Sequence, residues 1–289
     1  MRFKGSTPYA AFLLAITTVQ PLGAQTSKAI SGQQIDRSLI SALSHQGVNK
    51  PRVISHIDLT EPFATEVQWT FVAVQDSSQP APDEFNDHGP MSLCFVKAVS
   101  PDCALHLYQD VRSDAPEFDT PYDLFVAKVV YANQNKSSPL LLLQVCSARS
   151  ANGNCGIATA LYRFDKTTDR FVRVFLNRTG HNNNEGTRFV ESGPLQGDVI
   201  VNVPTDNAPY AYWIEVYRAN ESGQYVRILR YRSRTHYADR NPLAVADSEM
   251  PEILSLFGLW KPGDALPVPP RMPKGCTRTY IRSGEEWCK

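Results

Sequence analysis

The sequence predicts an all-β fold: a β-propeller-like repeat domain of short antiparallel strands, with a short helix before it and a disulfide-stapled hairpin after it. Three observations carry that prediction. Beyond Arg52, short runs rich in Val, Ile, Phe, Tyr and Trp alternate with clusters of Pro, Asn, Gly and Asp, the pattern of strands and turns. Similar segments recur at intervals of 52 to 55 residues. The six cysteines fall into three close pairs.

The 289 residues are 42% hydrophobic, enough to bury a core and to exclude intrinsic disorder. Basic and acidic residues balance at 29 each, so nothing marks the chain for nucleic acid. Residues 1–24 read as a signal peptide: Arg2 and Lys4 open it, Tyr9 to Val19 form an uncharged apolar run, and Leu22, Gly23 and Ala24 supply a small-residue exit. The apolar run is too short to span a bilayer, which needs about 20 residues. Cleavage after Ala24 would leave no transmembrane anchor and would place the protein in the periplasm or outside the cell.

Residues 25–51 hold the helical segment. Ser31 and Gln34 are spaced as a capping box, and Ile35, Leu39 and Leu43 recur every fourth residue until Gly47. One apolar stripe of that kind covers one end of a larger domain. The β-rich repeat domain runs over 52–258. Val67–Val74 alternates Val67, Trp69, Phe71 and Ala73 with a second set, and so reads as a strand with one very apolar face. Met91–Lys97, Ala104–Tyr108, Leu124–Tyr131, Leu140–Val145, Thr159–Phe164, Phe171–Leu176, Val199–Val203, Tyr212–Tyr217 and Tyr225–Tyr231 read similarly, with helical periodicity nearly absent.

The repeat is visible by self-comparison. Cys94 to Cys103 with its flanks aligns with Cys146 to Cys155, and Val199–Arg218 gives a third copy without cysteines. Tyr162-Arg163-Phe164 followed by Phe171-Val172-Arg173 returns as Tyr217-Arg218-Ala219 followed by Tyr225-Val226-Arg227. A period of this length with about four strands per unit is the size of a propeller blade.

Six cysteines allow 15 pairings, but spacing favours the local ones, Cys94–Cys103, Cys146–Cys155 and Cys276–Cys288, in an oxidising compartment. Residues 259–289 form a Pro-rich linker and a clasp: Pro262, Pro267, Pro269, Pro270 and Pro273 forbid a helix, and Ser283-Gly284 is a turn inside the last cysteine pair.

No G-x-S-x-G, H-E-x-x-H, P-loop or G-x-G-x-x-G motif is present, so the sequence leans away from an enzyme and implies no cofactor. Two polar loops stand out. His181 and Glu185 flank an Asn run that suits left-handed turns or contacts to a polar ligand. His236, Asp239, Glu249 and Glu252 are the catalytic candidates if the chain is a carboxylate/His hydrolase, and Asp239, Asn241, Asp247 and Glu249 are oxygen donors of the kind calcium takes. Capping and turn formation are the commoner uses of such residues. Finally, Arg227, Arg230, Arg232 and Arg234 are interleaved with Tyr225, Tyr231 and Tyr237, a composition favoured at protein interfaces and acidic glycan sites.

Asp247 to Leu254, ending Met250-Pro251-Glu252-Ile253-Leu254 after Leu243-Ala244-Val245-Ala246, resembles a degenerate loop of FG-GAP-type β-propeller repeats, without their alternating acidic D-x-D-x-D-G run. The Tyr-Arg hairpins over 162–175 and 217–229 look like those of bacterial periplasmic propeller-like proteins that act as inhibitors or immunity proteins. The resemblance covers Ser92 to Gly258 and implies a binding function. The expected role is therefore an exported binding protein that engages or inhibits a periplasmic or secreted protein such as a hydrolase. A polysaccharide- or cell-wall-acting hydrolase and a glycan-binding module are the alternatives, and nucleic acid is not an expected partner.

Overall fold

The computed structural model describes residues 31–77, 89–98, 100–103, 120–147, 154–180, 184–206, 210–268 and 270–289. The expected signal peptide and the strand expected at Ala104–Tyr108 lie outside the described residues. Helix α1 (Gly32–His45) forms where the four-residue recurrence placed it, with Ile35, Leu39 and Leu43 fully buried. The capping box does not form. Ser31 occupies the N-cap position without a side-chain bond, and its carbonyl accepts from the N–H groups of Gln34 and Ile35.

Three antiparallel sheets follow, each of four strands paired in chain order. The first holds β1 (Pro51–Asp58), β2 (Trp69–Asp76), β3 (Met91–Lys97) and β4 (Ser100–Asp102), with the one-turn helix α2 (Thr60–Phe63) between β1 and β2. The second holds β5 (Pro121–Tyr131), β6 (Pro139–Ser147), β7 (Ile157–Asp165) and β8 (Arg170–Thr179). The third holds β9 (Gly186–Phe189), β10 (Val199–Pro204), β11 (Ala211–Ala219) and β12 (Tyr225–His236). Helices α3 (Val245–Ser248) and α4 (Met250–Leu256) come next, and β13 (Thr279–Arg282) pairs with β14 (Glu285–Cys288) as the C-terminal hairpin. All three expected disulfides are present: Cys94–Cys103, Cys146–Cys155 and Cys276–Cys288.

The sheets stack face to face, and the two-residue period of each strand builds the layers. On β6, Leu141, Leu143 and Val145 meet Phe71, Ala73, Leu93 and Phe95 of the first sheet. Leu140 and Leu142, pointing the other way, meet Val199 and Val201 of the third. The outer face of the first sheet, through Val72, Val74 and Val96, is covered by Ile35, Leu39 and Leu43 of α1. The outer face of the third, through Ile200, Tyr212, Ile214 and Val216, is covered by Val245, Met250, Ile253 and Leu254 of α3 and α4 together with Trp260. The order through the molecule is helix, sheet, sheet, sheet, helices. Each fully buried aliphatic side chain contributes about 1.5–3 kcal/mol to holding these layers together. Where the third sheet's 190–198 turn touches the second sheet, Gly197 has φ of 91° and a Cβ there would run into the Ala132 carbonyl, so glycine is required.

Several expectations change. β2 is buried on both faces, because α1 lies against the side opposite the second sheet. β1 and β9 carry no marked apolar run, and both sit at the first-strand edge of their sheets. Residues 245–256 are helical where the sequence suggested a loop: Pro251 stands in the first turn of α4, where its missing N–H has no intrahelical partner to lose. The second and third repeat copies occupy equivalent places, since Cys146 lies on the second strand of its sheet and both Tyr-Arg hairpins join third to fourth strands. The first copy is displaced by one strand, because Cys94 lies on the third strand of its sheet. Pro51, Pro121 and Gly186 open the three sheets, so the first strands recur at longer intervals than the sequence alignment implied, while the third and fourth strands of the second and third sheets keep its offset.

Candidate functional site

Strand β12 is an edge strand, hydrogen-bonded to β11 on one side. Its alternation sorts the expected residues onto two faces. Leu229 and Tyr231 join the core beneath α4, and Ser233 and Thr235 are buried on the same side. Arg230 and Arg232 stand opposite Glu215 and Trp213 of β11, and a bulge brings Arg227 opposite Tyr217 on that same face. The Arg230 guanidinium lies 4.3 Å from the Trp213 ring centroid. Glu215 Oε1 takes both Arg227 (Nη1, 2.7 Å) and Arg230 (Nε, 3.1 Å), while Tyr217 Oη donates to Glu215 Oε2 at 2.6 Å. Burial, reinforced by Glu215, pushes the Tyr217 hydroxyl up to about 12. Arg232 and Arg234 are exposed, and Arg234 Nη1 donates to the Ser283 carbonyl in the turn of the C-terminal hairpin. Val226 and Ile228 on the same strand are 42% and 39% exposed. Arg227, Arg230 and Arg232 thus form a stripe of guanidinium beside a tryptophan, Ile228 is the extra residue of the bulge, and Val226, opposite Arg218, faces the other way.

The buried side of β12 has a different use. Glu249 is 1% exposed. Its Oε2 accepts from Tyr231 Oη at 2.8 Å, and its Oε1 accepts from the Thr235 N–H at 3.1 Å and Thr235 Oγ1 at 2.6 Å. Thr235 Oγ1 also lies 3.0 Å from Glu285 Oε1. One hydroxyl proton therefore stands between two carboxyl groups. Burial raises the Glu249 carboxyl above its ordinary range, against the opposing pull of the Thr235 and Tyr231 hydrogen bonds, and burial also raises Glu286. Asn241 Nδ2 donates to Ser248 Oγ (3.0 Å) and to the Glu286 carbonyl (2.7 Å), pinning the hairpin onto α3.

The four residues named as a hydrolase set do not converge. Asp239 Oδ2 accepts from the His236 N–H at 2.6 Å, and the two side chains cap a single turn of 3-10 helix over Tyr237–Asp239. Glu249 takes the N–H of the preceding residue, Thr235. Successive N–H groups of an extended strand point in opposite directions, so the Asp239 and Glu249 carboxyls stand on opposite edges of the end of β12. Glu252 is half-buried and reaches toward Gly284 in the hairpin turn. The calcium candidates are likewise engaged elsewhere: Asp239 in the cap, Asn241 with Ser248 and the hairpin, Asp247 with Arg188, and Glu249 with Thr235 and Tyr231. Among the described residues, no three His, Cys, Asp or Glu side chains group as a metal site.

A cleft of about 600 Å³ opens between the second and third sheets. Glu185, Asn241 and Asp247 from the two polar loops line it, together with Lys128 of β5, Gln144 of β6, Arg188 of β9 and Arg271 of the Pro-rich segment. Sequence reading missed the last four because they are scattered singly over four segments with no local pattern. His181 lies outside the described residues, and Glu185 Oε2 accepts from the Gly180 N–H at 2.7 Å. Comparison with known protein families, with curated proteins and with solved structures found no match to this chain.

Proposed function

We propose that this is an exported binding protein that engages or inhibits a protein partner through the arginine-rich face of β12. Six cysteines joined in three disulfides support a compartment outside the reducing cytosol. The three successive four-stranded meanders support a blade-like reading, as an open, helix-capped relative of the propeller plan. The observation that carries the functional reading is the edge strand itself. It is 12 residues long, pairs with no second strand along its other side among the described residues, and carries Arg227, Arg230, Arg232 and Arg234, with Trp213 of β11 and the exposed Ile228 beside them. Arg and Trp are the residues most enriched at interface hot spots, and a free strand edge offers backbone hydrogen bonds to an added strand. The guanidiniums favour an acidic partner.

The test is capture from native envelope extract with the oxidised chain, run in parallel with the Arg230→Glu/Arg232→Glu variant and followed by reconstitution with the purified partner. A partner held in stoichiometric amount by the parent and at least about tenfold more weakly by the variant supports the reading. Retention that the charge reversal leaves unchanged overturns it, as does retention of polysaccharide with no protein.

A further inference from the structure

We infer that a second cleft, where α2 meets the β5–β6, β7–β8 and β11–β12 turns, binds a small carboxylate with an apolar body, its anionic group received by Arg163. Among the described residues that line it, Lys136, Arg163 and Lys166 are the cations and Glu221 is the one carboxylate. None of the three cations forms an ion pair among the described residues, and Lys136 lies 5.6 Å from the Tyr131 ring centroid. Along β7, Tyr162 and Phe164 flank Arg163 and pack toward the first sheet, so the alternation sends Arg163 to the opposite side, where it lies against Gly223 of the β11–β12 turn. Its Nε is shut off from solvent without a hydrogen bond among the described residues. Nη1 and Nη2 have no bond there either, but they are not shut off. A guanidinium held partly out of water with no acceptor of its own is costly, and a carboxylate arriving at its two open nitrogens would offset that cost.

The size of the ligand follows from the cleft, whose volume of about 540 Å³ lies within the usual range for small-molecule sites. Its charge follows from the lining and one neighbour. The lining holds two positive charges in excess, and Asp165, within electrostatic reach of Arg163 but outside the lining, offsets one of them. The single charge that remains matches a monoanion. Phe63, Pro139, Leu140, Phe164 and Tyr225 supply an apolar wall, and the Tyr225 hydroxyl already donates to the Gly197 carbonyl. Such a wall suits a hydrocarbon or aromatic body better than a polyol.

The test titrates 4-phenylbutyrate, and in parallel the neutral 4-phenylbutanamide, into the oxidised protein while backbone amide shifts are followed by NMR. The expected result is saturable binding of the carboxylate at roughly millimolar concentration or below, with shifts centred on residues 136–140, 163–166 and 219–223, and about tenfold weaker binding of the amide. Arg163→Gln is expected to lower carboxylate binding to the level of the amide. Lys136 and Lys166 are exposed, so Lys136→Gln/Lys166→Gln keeps the fold and tests the charge independently; it is expected to weaken the carboxylate several-fold and to leave the amide unchanged. Equal binding of the two compounds, no saturable shift, shifts centred on the arginine face of β12, or unchanged carboxylate binding in either variant overturns the inference. The Arg230→Glu/Arg232→Glu variant leaves this titration unchanged, so the fate of this cleft is separable from that of the β12 surface.

Discussion

Glu249 concentrates the tension of the buried network in one side chain. Both of its oxygens are hydrogen-bonded, yet burial holds its carboxyl above the ordinary range, so the folded protein keeps a proton there that the unfolded chain has already released. Folded molecules then bind more protons than unfolded ones between the usual carboxylate value, about 4.3, and the raised one, and stability must fall as pH rises through that window. Glu249→Gln removes the ionisation while keeping the acceptor for Thr235 and placing a donor where Tyr231 Oη can accept it. The expected outcome is a flatter profile of denaturation midpoint against pH and a gain in stability at neutral pH relative to the parent. Tyr231→Phe deletes the hydroxyl that serves Oε2 and is expected to cost roughly 1–3 kcal/mol at neutral pH, because it leaves a buried acceptor short of a donor. Urea titrations of the three proteins at a series of pH values would read both effects, and identical slopes for parent and Glu249→Gln would refute the account.

At the scale of elements, legibility followed the strength of the local pattern. α1, β3, β10 and the stapled hairpin were readable because apolar recurrence, β-branched runs and a Ser283-Gly284 turn act within a few residues. α4 was not read as a helix, although Met250, Ile253 and Leu254 have helical spacing, because Pro251 and the surrounding acids look like turn chemistry. β9 was missed because a four-residue strand beginning with glycine has no periodicity to detect. The site divides the same way. The arginine stripe was visible as an alternation along one strand, whereas the cleft depends on Lys128, Arg188, Glu191 and Arg271, which tertiary packing alone brings together. The hairpin gives the prediction at this scale. β13 and β14 are joined by Cys276–Cys288 and held to α3 by Asn241 and Ser248. Replacing both cysteines by serine is expected to cost about 3 kcal/mol of hairpin stability, the loop-closure value for a ring of this size. Hydrogen exchange at residues 279–288 should accelerate while that of β6 and β7 stays unchanged; equal acceleration throughout would mean that the clasp and the sheets unfold as one unit.

The whole molecule is a stack that ends on helices instead of closing on itself. The sheet in the middle, the second, buries both faces against other sheets. The two outer sheets each have one face that another sheet could cover, and in this chain α1 covers one while α3 and α4 cover the other. In repeat architectures such end caps decide whether the stack stays discrete or recruits further units. The first sheet offers the cleaner test, since α1 touches it through one stripe and sits at the start of the described chain. Leu39→Glu places a charge where the side chain is fully buried against Val72 and Val74, and should detach the helix from the sheet. The face then left open is lined by Val72, Val74 and Val96, the same kind of surface that joins the sheets to one another, so the expected outcome is self-association through that face together with a loss of about 2–5 kcal/mol in stability. Light scattering coupled to size-exclusion chromatography over a range of concentrations reads the association. A Leu39→Glu protein that remained monomeric with an unchanged denaturation midpoint would show that α1 is dispensable and that the first sheet ends the stack by itself.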